Sequence, residues 1–322
     1  MLLYIGGEAG TGKSQIIKAI VAAMTLLRRQ DEVILMAPTG AAADNINGNT
    51  YHTSLGMSIG KKGNPKAPQR IQRLWANKTI MVIDEISMVD LQTLSTINHR
   101  CKIARALSAD SPELFGGLPI VIVMGDFFQF PPVKGLPLWQ EPRQNKEEEV
   151  AGHQIWLRFT DVIILDEQMR QATDLEFQDL LHRARNGRLT TSDLDLLNSK
   201  VIPALDPFQI DSVVSVVKLN THRHRLNHLA MTQFARRRKQ RIYLFPARHT
   251  RLPSVQHLHA EDIFEQQDEG VSIPSQGLFL YTPEMPIMTL ANINSSLRLV
   301  NGTRGTATGV IMEPNSKTCL CV

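Results

Sequence analysis

Cysteine is scarce in this sequence: Cys101, Cys319 and Cys321 are the only three in 322 residues. Their spacing makes neither a disulfide framework nor a zinc-ligand pattern, so a metal-free scaffold in a reducing compartment is expected. Long apolar runs are also lacking. No segment approaches the ~20 residues needed to span a bilayer, so no membrane partner is expected. The apolar opening Met1–Ile5 ends at Gly6 and Gly7 with no basic stretch before it, and a signal peptide is not expected either. Negative charge is missing from one window: between Ser212 and Ala260 there is no Asp or Glu, while Lys218, Arg223, Arg225, Arg236, Arg237, Arg238, Lys239, Arg241, Arg248 and Arg251 fall inside it. Over the whole chain 35 Lys plus Arg stand against 31 Asp plus Glu, a formal net charge of +4 that names no partner by itself. The window would attract a polyanion; a solvated basic helix face is the plain alternative.

What is present points to a layered α/β chain. With 43% hydrophobic and 20% charged residues, the sequence can bury a sizeable core and is long enough for two domains. The runs "LLYI", "EVILM", "TIMVID" and "PIVIVMGD" are short, rich in branched residues and separated by helix-like segments, as buried parallel strands are. From Lys13 to Arg29, Ile16, Ile17, Ile20, Val21, Met24 and Leu27 recur at helical spacing, with Arg28 and Arg29 in the expected last turn. Residues 59–70 and 140–152 read as surface loops. The text turns polar around Asn186–Ser212, which places a boundary between domains 1–195 and 196–322.

"GEAGTGKS" satisfies G-x-x-x-x-G-K-[ST] between a strand and a helix, the context a phosphate-binding loop requires. Gly7, Gly10, Thr11 and Gly12 would let backbone N–H groups close around phosphate oxygens, Lys13 would meet the β and γ phosphates, and Ser14 would ligate Mg²⁺. "TIMVIDEIS" delivers Asp84 and Glu85 at a strand end, one carboxylate for Mg²⁺ and one to polarise an attacking water. ATP and Mg²⁺ are the cofactors implied, and phosphoryl transfer to water the reaction class.

Outside that site, "APTGAAADNINGNTYH", "MGDFFQFPPV" and "LDEQMRQ" follow in this order. Together they resemble the motifs of the PIF-type (petite integration frequency) DNA helicases, superfamily one B, including the helicase domain of Helitron transposons. "FQDLLHRARNGRLT" and "LVNGTRG" extend the resemblance from Tyr4 to about Gly309. It implies a RecA-like parallel-sheet domain, then a partial second RecA-like domain in which "PIMTLANINSSLRLVNGTRGTATGV" begins a small barrel insertion. It also implies that Thr39 and Gly40 hold DNA phosphates together with Thr50 and His52; a structural role is the alternative for His52. Gln129 would sense the γ phosphate, and Arg170 would reach it across the cleft. Phe127, Phe128 and Phe130 flank Gln129; two of the three are expected in the core, with Phe128 placed at the DNA bases. "VVSVVKLNTHRHRLNHLA" reads as a strand and an amphipathic helix, with Asn220 and Arg223 near the strand end.

The implied activity is ATP-dependent, 5′-to-3′ translocation on single-stranded DNA and opening of forked or structured DNA, by a monomer in the nucleus or mitochondrion. Repair, recombination, telomere maintenance or transposition would be its role. The family's adenine-reading glutamine and its later "T-I-H-K-x-Q-G" and "A-L-S-R" motifs have no counterpart, so a chain truncated at both ends is expected. Two further readings stay open: a DNA-binding form that does not hydrolyse ATP, and an unrelated P-loop ATPase acting on protein or RNA.

Overall fold

The computed structural model describes residues 1–57, 69–108, 110–201, 214–246, 278–289, 299, 302–312 and 319–321. The chain divides into two compact units, Met1–Asp195 and Leu196–Val322.

The first unit runs β1 (Leu2–Gly7), α1 (Lys13–Leu26), β2 (Val33–Ala37), α2 (Gly40–Asn45), β3 (Asn49–Thr50), α3 (Tyr51–Leu55), α4 (Gln69–Trp75), β4 (Ile80–Ile83), α5 (Leu91–Ala104), β5 (Ile120–Gly125), α6 (Glu147–Trp156), β6 (Asp161–Leu165), α7 (Leu175–Arg185) and α8 (Thr191–Ser199), the last crossing into the second unit. The six strands form one sheet in the order β3-β2-β4-β5-β1-β6. All its pairings are parallel. Successive side chains of a strand face opposite ways, and both faces here are apolar. Ile80, Val82, Ile122 and Met124 therefore pack with Ile17 and Met24 of α1, while Met81, Ile83, Val121 and Val123 pack with Trp75, Leu91, Leu94 and Ile97 on the other side.

Two strands escaped the sequence reading. β3 is two residues long. β6 is an edge strand whose Val162, Ile163 and Ile164 remain exposed, and edge position breaks the buried-strand signature. Helix α1 ends at Leu26, short of the expected Arg29. Arg28 has φ 58, and the Arg28 and Arg29 amides donate to the Thr25 and Met24 carbonyls. That pairing is a Schellman closure, which stops a helix once one residue enters the left-handed region. Arg29 then pairs with Glu32, Nη2 to Oε2 at 2.8 Å.

Both expected loops need correction. Of residues 59–70, those from 59 to 68 lie outside the described residues, and Gln69 and Arg70 open α4. Residues 147–152 belong to α6, whose first turn holds Glu147, Glu148 and Glu149, the acidic placement a helix N-terminus favours. Glu149 is buried, and the hydrogen-bonded Arg143 guanidinium holds its carboxyl below the usual range.

In the second unit the described elements are α9 (Asn220–Arg237) and β7 (Tyr243–Pro246), β8 (Leu278–Tyr281), β9 (Pro286–Met288), β10 (Arg304–Thr306), β11 (Ile311–Met312) and β12 (Cys319–Cys321). They pair antiparallel as β7–β8, β9–β10 and β11–β12. The strand expected before α9 is not formed over residues 214–219, where Val214 and Val216 are 76% and 99% exposed. A strand needs a partner for its backbone groups, and this stretch has none among the described residues. The linker prolines Pro203 and Pro207, and Arg248 and Arg251 of the basic window, lie outside the described residues, as does the side chain of Asn220.

Candidate nucleotide site

The carboxyl ends of β4, β5 and β1 are neighbours in the sheet, and three loops leave there side by side. Ligands of open parallel sheets collect at this edge. After β1 the chain wraps through Gly10 (φ 96) and Gly12 (φ 94) before α1 begins. Gly12 is the N-cap, and no side chain caps the helix. The Gln15 amide turns back to the Gly12 carbonyl at 2.8 Å, which leaves the Lys13 and Ser14 N–H groups ahead of it, the arrangement that receives an anion. Thr11 Oγ1 donates to the Glu8 carbonyl at 2.9 Å, so its hydroxyl closes the loop. The Lys13 ammonium donates to the carbonyls of Gly7 at 2.6 Å and Glu8 at 2.8 Å. Burial lowers its pKa, while the carboxylates of Asp126, Glu85 and Asp84 oppose that shift.

Asp84 is 6% exposed at the end of β4, and its Oδ1 accepts the Glu85 amide at 2.9 Å. Glu85 has φ 52, a strained conformation for a non-glycine residue. Burial raises the pKa of both carboxyls; the neighbouring Asp84 charge raises Glu85 further, and Lys13 pulls both down. Ser14 and Asp84 offer hard oxygen donors, one hydroxyl and one carboxylate, and such a set fits Mg²⁺ shared with phosphates.

After β5, Asp126 is 3% exposed and organises the turn that carries Gln129. It accepts the Phe128 amide at 3.0 Å and the Gln129 side-chain amide at 3.4 Å. Phe127 packs on the core against Tyr4 and Trp156, whereas Phe128 and Phe130 are 70% and 80% exposed. Only one of the three phenylalanines is internal, correcting the expectation of two. The turn after Asp126 swings the chain out of the sheet, so only the residue next to the strand reaches the core.

Arg170 follows β6 and stands exposed above the phosphate loop. The Met169 amide donates to the Gly10 carbonyl at 2.9 Å, and the Gln168 side-chain amide to the Ala9 carbonyl at 2.8 Å. A Cβ on Gly10 would run into Gln168 Oε1 and lie 2.8 Å from Arg170 Cβ. Gly10 thus serves close approach as well as its positive φ.

The structure brings Lys13, Asp84, Glu85, Gln129 and Arg170 to one edge, and sets the remaining residues on nearby short helices. Thr39 caps α2, accepting the Ala42 amide at 3.2 Å, and Thr50 caps α3, accepting the Thr53 amide at 3.3 Å. Gly40 is buried in the first turn of α2. His52 lies against Tyr51 with ring centroids 4.4 Å apart, and burial lowers its pKa.

Sequence reasoning assigned no role to Asp126, Arg185 or Glu8. One Arg185 amine donates to Asp126 Oδ2 at 2.7 Å and the other to Oδ1. Its Nε lies 3.2 Å from Glu8 Oε1, and its guanidinium sits 4.3 Å from the centre of the Phe128 ring. Asp126 could have been flagged: it ends an apolar strand as Asp84 does. A cleft of about 440 Å³ opens here, walled by Glu8, Phe128, Gln168, His182 and Arg185 among others.

The sequence profile described as PIF1-like helicase matches residues 1–195, the stretch that holds this whole edge. The chain belongs to the PIF1-like helicase family. Among PIF1-like relatives, the ATP-dependent DNA helicase PIF1 of Saccharomyces cerevisiae is 33% identical over 193 residues, 58% of this chain and 21% of that protein. The ATP-dependent DNA helicase PIF7 of Trypanosoma brucei brucei is 28% identical over 326 residues, 94% of this chain and 31% of that protein. The chain thus spans between a fifth and a third of the length of these relatives. Its fold is that of the solved Pif1 structures: Bacteroides Pif1 bound to single-stranded DNA superposes with TM-score 0.63 at 23% identity, covering 98% of this chain and 67% of that one. Candida albicans Pif1 gives TM-score 0.62 at 22% identity with the same coverage. This is the RecA-like P-loop fold of the PIF1-like helicases.

Proposed function

We propose that this chain carries the ATP-hydrolysing domain of a DNA helicase and couples hydrolysis to 5′-to-3′ movement along single-stranded DNA. The observation that carries the reading is the placing of Lys13, Asp84, Glu85 and Asp126 on the loops that leave the adjacent carboxyl ends of β1, β4 and β5. Lys13 would exchange its two carbonyl partners for β and γ phosphate oxygens, joined by the first-turn amides of α1. Glu85 would accept the proton of the attacking water, a role that a carboxyl with raised pKa suits at neutral pH. Ser14 and Asp84 would hold Mg²⁺, which when bound supplies neutralisation of phosphate charge. Gln129 and Arg170 would contact the γ phosphate from either side of the loop.

Residues 196–322 are read as the start of a second RecA-like domain, the β9–β10 pair opening its small barrel. DNA, single-stranded or forked, would lie over Thr39, Gly40, Thr50, His52 and Phe128, with Asn220 and the α9 arginines on the second unit. Activity as a monomer, in nuclear or mitochondrial DNA repair, recombination and telomere maintenance or in Helitron transposition, belongs to the same proposal. ATP hydrolysis by the purified chain, with and without poly-dT and with Lys13→Ala as the blank, tests it. Stimulation by DNA above the blank is the expected result. Binding of both ligands without turnover would replace this reading with the DNA-binding form, and turnover indifferent to DNA with an ATPase of another kind.

A further inference from the structure

Arg185 stands at the end of α7 and meets two segments far from it in sequence. Its guanidinium grips both oxygens of the buried Asp126, reaches Glu8 of the phosphate loop and covers the exposed Phe128 ring. The same helix is fixed from behind, where Arg183 Nε donates to Asp193 Oδ2 at 2.8 Å. The Glu8 carbonyl is also a partner of Lys13. One planar fork therefore ties the phosphate loop to the turn that holds Gln129.

We infer that Arg185 is a positioning residue for hydrolysis, one that keeps Asp126 saturated so that Gln129 stays available to the γ phosphate. Both Asp126 oxygens are occupied by the fork, and the Gln129 side-chain amide stands at 3.4 Å, long for an N–H···O bond. Without Arg185, the buried carboxylate would keep the Phe128 amide at 3.0 Å as its one short hydrogen bond, and the Gln129 side-chain amide, already at 3.4 Å, is the donor in place to close on it. That capture takes the Gln129 side chain out of the phosphate site. Lysine keeps a charge at this position but lacks the planar fork, so it cannot reproduce the two parallel bonds.

This inference rests on the proposed hydrolysis, and the experiment separates the two. Arg185→Ala, Arg185→Lys, Gln129→Ala and the double variant Arg185→Ala with Gln129→Ala are compared in the full chain. Measured are kcat and KM for ATP, and hydrogen exchange of the segment from Asp126 to Pro131. Expected for Arg185→Ala is a kcat loss of about 10 to 100-fold with KM within about threefold, and for Arg185→Lys an intermediate loss. In the Gln129→Ala background, removing Arg185 is expected to cost less than about twofold more, because both changes disable one device. Faster exchange at the Phe128 and Gln129 amides accompanies both Arg185 variants. Equal losses with and without Gln129, or unchanged exchange in this segment, would overturn the inference. A wild-type chain that does not hydrolyse ATP would sink the proposed function alone, since the exchange comparison still decides on Arg185; if Arg185→Ala does not fold, Arg185→Lys carries that comparison.

Discussion

The two units of this chain solve the pairing of strands in opposite ways. In Met1–Asp195 six strands share one parallel sheet with an apolar cluster on each face. In Leu196–Val322 the described strands pair two by two and antiparallel, around a small buried cluster of Tyr281, Met285 and Ala307. Parallel strands bring several loops out at one edge, and chemistry that needs four or five groups within reach of one phosphate can be assembled there. Short antiparallel pairs offer no such edge. The second unit's conspicuous feature is instead the charge of α9, with Arg225 and Arg236 exposed, which suits attraction along a polyanion rather than exact placement.

The largest effect should come from the parallel edge. Glu85→Gln is expected to lower kcat by about 10² to 10⁴-fold while nucleotide affinity stays within a few-fold, as single-turnover kinetics and binding of a fluorescent nucleotide would reveal. A loss confined to KM would mean that the edge only binds. Next in size is packing: Trp75, fully buried with its indole N–H on the Ser54 carbonyl at 2.8 Å, is expected to cost about 3 to 5 kcal/mol when replaced by Ala. Met285→Ala, in the smaller cluster, should cost clearly less and leave hydrolysis without DNA intact. If urea unfolding shows both substitutions shifting one common transition equally, the contrast between the units fails.

Smaller effects concern DNA. Phe128→Ala should weaken binding of poly-dT by about 1 to 3 kcal/mol if a base stacks on that ring, with little change in Tm because the side chain is exposed. Replacing Arg225 and Arg236 by Ser should reduce the salt dependence of poly-dT binding by about 1.4 in slope, at ~0.7 per phosphate contact on a single strand, without altering hydrolysis in the absence of DNA. An unchanged slope would remove α9 from the DNA path.

The smallest effect is on stability and depends on pH. Asp84 and Glu85 both have raised pKa values in the fold, so the folded state binds their protons more tightly than the unfolded chain. Their contribution is greatest at low pH and is lost as pH rises through the unfolded and then the folded pKa. Asp84→Asn should therefore raise Tm at neutral pH and lose that advantage as pH falls into the ordinary carboxylate range. A Tm lowered at every pH would show that the charge is compensated in the fold.

Much of this was legible without coordinates. Four of the six strands, the helix after the first of them and the phosphate loop follow from local patterns: branched apolar runs, helical spacing, and glycines where φ must be positive. Legibility failed where context outweighed pattern. β6 hid because an edge strand is not buried, α6 because three glutamates read as a solvated loop although they suit a helix start, and residues 214–219 because a valine-rich run needs a partner strand to become one.

The sequence by itself determined the chemistry on offer, since a strand, G-x-x-x-x-G-K-S and a helix leave a backbone chain few ways to fold other than around an anion. Tertiary structure alone decided which groups meet. Gln168 reaches Ala9 across 159 positions, and Arg185 reaches Asp126 across 59. Those contacts depend on the order in which strands enter the sheet, a global property, whereas the phosphate loop depends only on neighbours a few residues apart.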